Sequence, residues 1–186
     1  MGIEMSYRNG TYCAFYVDEP FHPSNLGALA TRDFVYYNLV RMWKYDDPSF
    51  PFINSHDKTY NVRDGSDWEG TLRPRLRERL RGSKNILLFL SDVTRPSRAL
   101  NEEMEYGIGY LGLPVIVAYP DLEPIGYDGN FNRKVFGLWD RLPAFRNNMD
   151  KVPTVHIPMK KEAVREALGS SYYMIQTKID PGRYCL

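Results

Sequence analysis

Five short stretches of this chain are apolar and nearly free of charge, and segments long enough to be helices separate them. The five are "TYCAFYV" (11–17), "FPFINS" (50–55), "NILLFLSD" (85–92), "LPVIVAYP" (113–120) and "VPTVHIPM" (152–159). A strand with one wet face alternates apolar and polar residues. The strongest of these runs do not alternate, so both of their faces must be covered. Strand and helix in alternation, with strands buried on both sides, predict a parallel, doubly wound α/β sheet with helices on both faces. Right-handed crossovers leave few topologies for five strands, and the flavodoxin-like three-layer order 2-1-3-4-5 is the expectation. "FPFINS" is the weakest of the five, its prolines suiting an edge.

The intervening segments carry helical spacing. In 22–44, Leu26, Leu29, Ala30, Phe34, Tyr37 and Val40 recur at that spacing, with Ser24 placed to cap. In 71–83, Leu72, Leu76 and Leu80 form one stripe, Pro74 falls in the first turn and Gly82 is the stop. "KKEAVREALGSSYYMIQ" (160–176) reads as the last helix. Residues 121–150, rich in Gly, Pro and Asn, read as a loop-rich insertion with a short helix near "FNRKVFGLWDRL". At 186 residues the expectation is a single α/β domain over 1–186, its core at 10–120 and 151–178. The polar loop "HDKTYNVRDGSDWEG" (56–70) is long enough to suggest binding or mobility.

Composition narrows the function. Lys+Arg 24 against Asp+Glu 23 gives a formal charge of +1, without the basic excess that gripping phosphate backbones requires, so no nucleic-acid partner is expected. The one basic concentration, "RPRLRERLRGSK" (73–84), alternates with leucines and reads as the solvated face of a helix. Cys13 and Cys185 have neither zinc nor disulfide spacing, three scattered histidines offer no metal cluster, and no apolar run approaches a membrane span. These features lead us to expect a cytoplasmic protein without metal or membrane association.

In a sheet of this order, ligands bind beyond the carboxyl ends of the strands where the order reverses, between the first and third strands. The loop after Val17, the segment "SDVTRPS" after Leu90 and the first turns of the next helix must meet there. That helix lies in "SRALNEEMEYGIGYLGLPVIVAYPD" (97–121), which carries Glu102, Glu103 and Glu105, with Asp121 beyond the following strand. At 100° per residue, Leu100, Met104, Ile108 and Leu111 make an apolar stripe about 80° wide that must face the sheet. Glu102 lies nearly opposite it and is expected in solvent. Glu103 and Glu105 fall on its two borders. Glu103 shares its border with Ala99, Tyr106, Gly107 and Tyr110 and is nearer the helix start, which makes it the better candidate. Periodicity alone leaves open a plain ion pair with Arg95 or Arg98.

"NILLFLSDVTRPSRALNEEMEYGI" resembles the third-strand and following-helix block of TIR domains, and the nearest group is the TIR-like, ThsB-type domain of the bacterial Thoeris anti-phage systems. The resemblance covers roughly residues 10–120. It makes Ser91 the serine closing the strand and Glu103 the family glutamate, although Ala99 or Leu100 stands where many TIR domains carry tryptophan. "EMEYGIGYLGLPVIVAY" is also similar to the motif of nucleoside 2-deoxyribosyltransferases, again with Glu103 as the glutamate. Both families break an N-glycosidic bond, where a fixed anion stabilises or traps the oxocarbenium-like centre. The cationic nicotinamide of NAD leaves without a proton, and no paired acid is visible here. The resemblance therefore implies an NAD-processing signalling enzyme (a glycohydrolase or ADP-ribosyl cyclase), with NAD as substrate and no cofactor. It further implies a product passed to a separate effector protein, and a homo-oligomer.

The remaining candidates have two readings each. Asp18 and Glu19 hydrogen-bond ribose hydroxyls or cap an acidic loop. Phe15 stacks on a base or fills the core. Ser55, His56 and Asp57 occupy the region where TIR domains form a lid, and a loop histidine is otherwise simply exposed. Trp68 closes over a planar ligand or staples the next helix, while Arg95 and Arg98 meet a diphosphate or neutralise Glu102. Two functional alternatives stand beside the enzyme: a non-catalytic TIR-like interaction module, and a nucleoside deoxyribosyltransferase-like enzyme.

Overall fold

The computed structural model describes residues 8–16, 33–56 and 67–186. Its sheet has five parallel strands: β1 (Gly10–Ala14), β2 (Ser83–Phe89), β3 (Val115–Tyr119), β4 (Pro153–Pro158) and β5 (Gly182–Cys185). Side chains alternate between two apolar layers. Tyr12, Ala14, Ile86, Leu88, Val115 and Val117 face one, and Cys13, Leu87, Phe89, Ile116 and Ala118 face the other. The first layer is covered by α2 (Arg73–Arg81), α3 (Arg98–Met104), α4 (Arg133–Asp140) and α5 (Pro143–Arg146), through Leu80, Leu100, Met104, Leu138, Trp139 and Phe145. The second is covered by α1 (Phe34–Asp46) and α6 (Lys161–Gly169), through Val40, Val164, Ala167 and Leu168. The expected α/β architecture, with helices on both faces, is the one observed. No helix among the described residues is long and apolar enough to cross a membrane.

The five full strands lie side by side in chain order, β1-β2-β3-β4-β5, and the 50–55 segment lies beside β1 at the edge, so the expected neighbours 2-1-3-4-5 hold with the second strand reduced to a bridge and one further strand, β5, added beyond the fifth. The expected second strand, 50–55, contributes a single parallel bridge of Asn54 to Thr11 on the outer edge of β1, with Thr11 N–H donating to Ile53 O at 2.7 Å. Phe50 and Phe52 are buried beneath α1 and α6, so their apolar character seats a segment in the core instead of extending a strand. The strand that was not expected is β5, a half-exposed edge strand beyond β4 that carries no apolar run. The last helix is also shorter than expected: α6 stops at Gly169, and Ser170 caps a 3-10 turn at Ser171–Tyr173. Only the second half of the expected 22–44 helix is described, as α1.

Two helices depart from α geometry. A π-helical turn, Trp68–Leu72, leads into α2, and a second, Glu105–Tyr110, continues α3. The second turn is pressed close to the sheet because Gly107 has no side chain: a Cβ there would stand 2.7 Å from Ile86 Cδ1. It ends at Gly112, whose φ of 68° suits glycine, with Gly112 N–H bonded to Ile108 O and Leu113 N–H to Gly107 O.

The insertion is more ordered than its composition suggests, since α4 and α5 bury Trp139 and Phe145 in the first layer. It is also wired to the sheet. Trp139 Nε1–H donates to Tyr119 Oη at 2.8 Å, leaving the Tyr119 hydroxyl proton for His156 Nδ1, also at 2.8 Å. His156 Nε2–H then meets Thr154 Oγ1 at 3.2 Å, and the Thr154 hydroxyl donates to Gly182 O on β5. The Tyr119 hydroxyl can donate to Nδ1 only while His156 is neutral, and burial holds its pKa down to about 3.

Candidate active site

Ser97 caps α3 by accepting from Leu100 N–H at 3.1 Å, which fixes where the helix starts and therefore which residues face the sheet. Leu100 and Met104 dock into the first apolar layer, and Glu103 is carried inward beside them, only 8% exposed. Tyr12 projects from β1 on the same face and donates its hydroxyl to Glu103 Oε1 at 2.7 Å. Oε2 is buried with no hydrogen-bond partner among the described residues. Burial pushes the carboxyl pKa up to about 8, against the pull of the Tyr12 hydrogen bond and of the Arg79 charge. One oxygen is thus held and the other is bare.

A second pair stands next to this one. His56, just beyond the Asn54 bridge, turns its ring against Tyr12, the centroids 4.5 Å apart. Its Nδ1 lies 3.0 Å from Arg79 Nη1. Nε2 stands 3.1 Å from both the backbone N and the carbonyl O of Cys13; because a guanidinium only donates, Nδ1 carries the lone pair, and the Nε2 proton then goes to the carbonyl rather than Nε2 accepting from the N–H. Burial and the Arg79 charge depress the His56 pKa to about 3, so the ring is neutral. Cys13 itself is buried and its thiol pKa is pushed far up, first by burial and then by Glu103, which leaves it inert.

The structure separates the other candidates. Phe15 points to the opposite layer, stacked on Tyr37 at 5.8 Å and packed near Phe34 and Phe89. Ser55 bonds Ser83 at the start of β2, 2.7 Å between hydroxyls. Ser91 is fully buried and donates to Asp33 Oδ1 at 2.7 Å, tying the end of β2 to the start of α1. Arg95 donates to the carbonyls of Asp92 and Thr94, and the Arg98 guanidinium sits over the Trp68 ring at 5.5 Å. Neither arginine carries the ion pair that the wheel had left open for Glu103. Asp18, Glu19 and Asp57 lie outside the described residues.

Glu102 is a correction. Its side chain is only 12% exposed, because Arg73 Nε (3.2 Å) and Arg77 Nε (2.5 Å) both bond its Oε1. The arginines of α2 are therefore not simply a solvated face: Arg77 also covers the Tyr106 ring at 4.5 Å, and Arg81 donates to the Tyr106 hydroxyl. Arg73, Arg77, Glu102 and Tyr106 line an open groove of about 420 Å3 with Glu105 and Tyr110. Glu102 and Glu105 line that groove, whereas Glu103 is turned to the sheet. Among the described residues, no group of three or more His, Cys, Asp or Glu is placed to hold a metal ion.

Tyr12 and Arg79 were the residues missed by sequence reasoning. For Tyr12 a signal existed: counting by twos along β1 sets Tyr12, Ala14 and Tyr16 on one face and Cys13 and Phe15 on the other. For Arg79 there was none, because an arginine-rich helix gives no hint of which arginine turns inward.

The fold is thus a parallel α/β sheet covered on both faces, with a buried glutamate on the helix after β2 that reaches back to the first strand. The chain matches the family described as Thoeris protein ThsB, TIR-like domain, over residues 12–124, and it belongs to that family. The matched span holds Tyr12, His56, Arg79 and Glu103, and membership supports a TIR-type, defence-related role.

Proposed function

We propose that this chain cleaves the bond between nicotinamide and ribose in NAD, with Glu103 as the group that faces the reacting carbon. The observation carrying this reading is the asymmetry of one buried carboxyl: Oε1 is held by Tyr12 and Oε2 has no protein partner among the described residues. In the reaction the C1′–N bond breaks with its electron pair moving to the ring nitrogen, so the cationic nicotinamide departs neutral and no acid is needed. The positive charge developing at C1′ is met by Glu103. Water, or a nucleophile elsewhere on the same ADP-ribose, then adds to C1′ and gives up a proton, yielding a linear or cyclised product that signals to a separate effector.

The elevated Glu103 pKa fits such a step. Surrounded only by protein, the carboxyl holds a proton near neutral pH, and the positive nicotinamide ring favours its ionised form. Binding of the correct substrate thereby switches the carboxylate on. The test is chromatographic measurement of nicotinamide release from NAD by wild type and Glu103→Gln, alone and in extracts of phage-infected cells. Release that disappears in the variant supports the reading. A variant as active as an active wild type, or a wild type silent under both conditions, overturns it. Base exchange on deoxynucleosides without NAD turnover would move the chemistry to the deoxyribosyltransferase class.

A further inference from the structure

Four of the arginines of α2 have different fates. Arg73 and Arg77 are clamped on Glu102, and Arg81 reaches the Tyr106 hydroxyl. Arg79 instead points toward β1, where its Nη1 meets a neutral acceptor, His56 Nδ1. The contacts run in one chain: Cys13 holds His56 by its carbonyl, His56 meets Arg79 and packs on the Tyr12 ring, and Tyr12, the neighbour of Cys13 in β1, is bonded to Glu103.

We infer that His56 and Arg79 are a positioning bracket for Glu103, in which an uncharged imidazole packed on Tyr12 holds a guanidinium on the side of the Tyr12–Glu103 pair. A carboxyl in a desolvated site needs positive charge nearby to lose its proton. A carboxylate in place of His56 would neutralise that charge. A neutral ring nitrogen supplies direction without cancelling the field. The groups facing this cluster are Tyr12 and Cys13 from β1, Tyr37 from α1, whose ring meets His56 edge-on at 5.9 Å, Arg79 from α2 and Glu103 from α3. The bracket rests on Glu103 being the working carboxylate, but its test does not require turnover.

The experiment follows the Glu103 carboxyl directly, by carbon NMR of protein labelled at the glutamate carboxyls. The signal is assigned by its loss in Glu103→Gln, and pH titrations compare wild type with Arg79→Gln, Arg79→Lys, His56→Ala and His56→Asn. Arg79→Gln should raise the Glu103 pKa by about one unit or more, and Arg79→Lys, which keeps the charge, by less. His56→Ala should move it in the same direction. His56→Asn, whose amide oxygen can stand near the lost Nδ1, should recover most of the wild-type value. A Glu103 pKa unmoved by either His56→Ala or Arg79→Gln overturns the inference, as does His56→Asn behaving like His56→Ala. Where nicotinamide release is measurable, the acid limb of its pH profile should shift with the NMR value. Shifted titrations in a protein that never releases nicotinamide would sink the NAD reading alone. Nicotinamide release with an unshifted Glu103 would sink the bracket alone.

Discussion

Replacing Glu103 with glutamine should make the protein more stable at high pH and leave it nearly unchanged at low pH. The carboxyl has a folded-state pKa of about 8 against 4.5 for the ordinary group, and burial is the main cause. Below pH 4.5 both folded and unfolded chains carry the proton, so the wild type keeps its full stability. As pH rises toward 8 the unfolded chain releases a proton that the folded chain retains. Stability then falls by about 1.4 kcal/mol per pH unit, roughly 3–5 kcal/mol over the interval. Glutamine has similar shape, can accept from Tyr12 and does not titrate. Urea unfolding of both proteins at pH 5, 7 and 9 isolates the effect, because the other titrating groups are common to the pair. The stability difference should grow with pH in favour of the variant. Two parallel curves would refute the reasoning and mean that Glu103 is not desolvated in the folded protein.

Tyr12→Phe removes the only donor that Glu103 has among the described side chains, so unfolding free energy should drop by about 1–3 kcal/mol in denaturant titrations, and nicotinamide release should fall with it. His156→Gln should flatten the acid side of the stability profile. His156 has a depressed folded pKa of about 3, so its contribution is intact above pH 6.5 and is lost as pH falls toward 3, at about 1.4 kcal/mol per unit, and calorimetry between pH 7 and 4 reads the slope. Gly107→Ala forces a methyl group against Ile86 and Leu80 and should cost about 1–3 kcal/mol, visible as a lowered thermal midpoint.

The three central strands and the covering helices were legible because burial on both faces leaves uninterrupted apolar runs such as "ILLFL" and "PVIVAY". β5 was not, since an edge strand reading Gly-Arg-Tyr-Cys has one wet side and its place is set by pairing with β4. The "FPFINS" segment was legible in place but not in form: it lies at the edge beside β1, yet a single bridge pairs it and its phenylalanines are buried under helices. Helical phase sufficed to turn Glu103 rather than Glu105 inward, because the stripe of Leu100 and Met104 fixes the rotation of α3. Phase failed for Glu102, which points away from the sheet yet lies under a neighbouring helix. A single-helix wheel treats everything off the core as solvent, and only the docking of α2 brings Arg73 and Arg77 to it. Tyr12, His56 and Arg79 come from three segments spread over 68 residues, and no local pattern reports such a meeting.

The π-helical turn after α3 has a consequence for how this chain can change in length. A π turn contains about one residue more than an α turn, and here the surplus sits between Glu103 and β3. Losing one residue from Glu105–Tyr110 would let that turn relax to α geometry, leaving the Ser97 cap, the phase of Glu103 and the pairing of β2 with β3 in place. The same loss between Ser97 and Glu103 would rotate the carboxyl by about 100° away from Tyr12. Descent can therefore lengthen or shorten the helix on the far side of the glutamate but not on the near side. In relatives of this chain, single-residue gaps should gather after Glu103 while the spacing from the capping serine to the glutamate stays fixed.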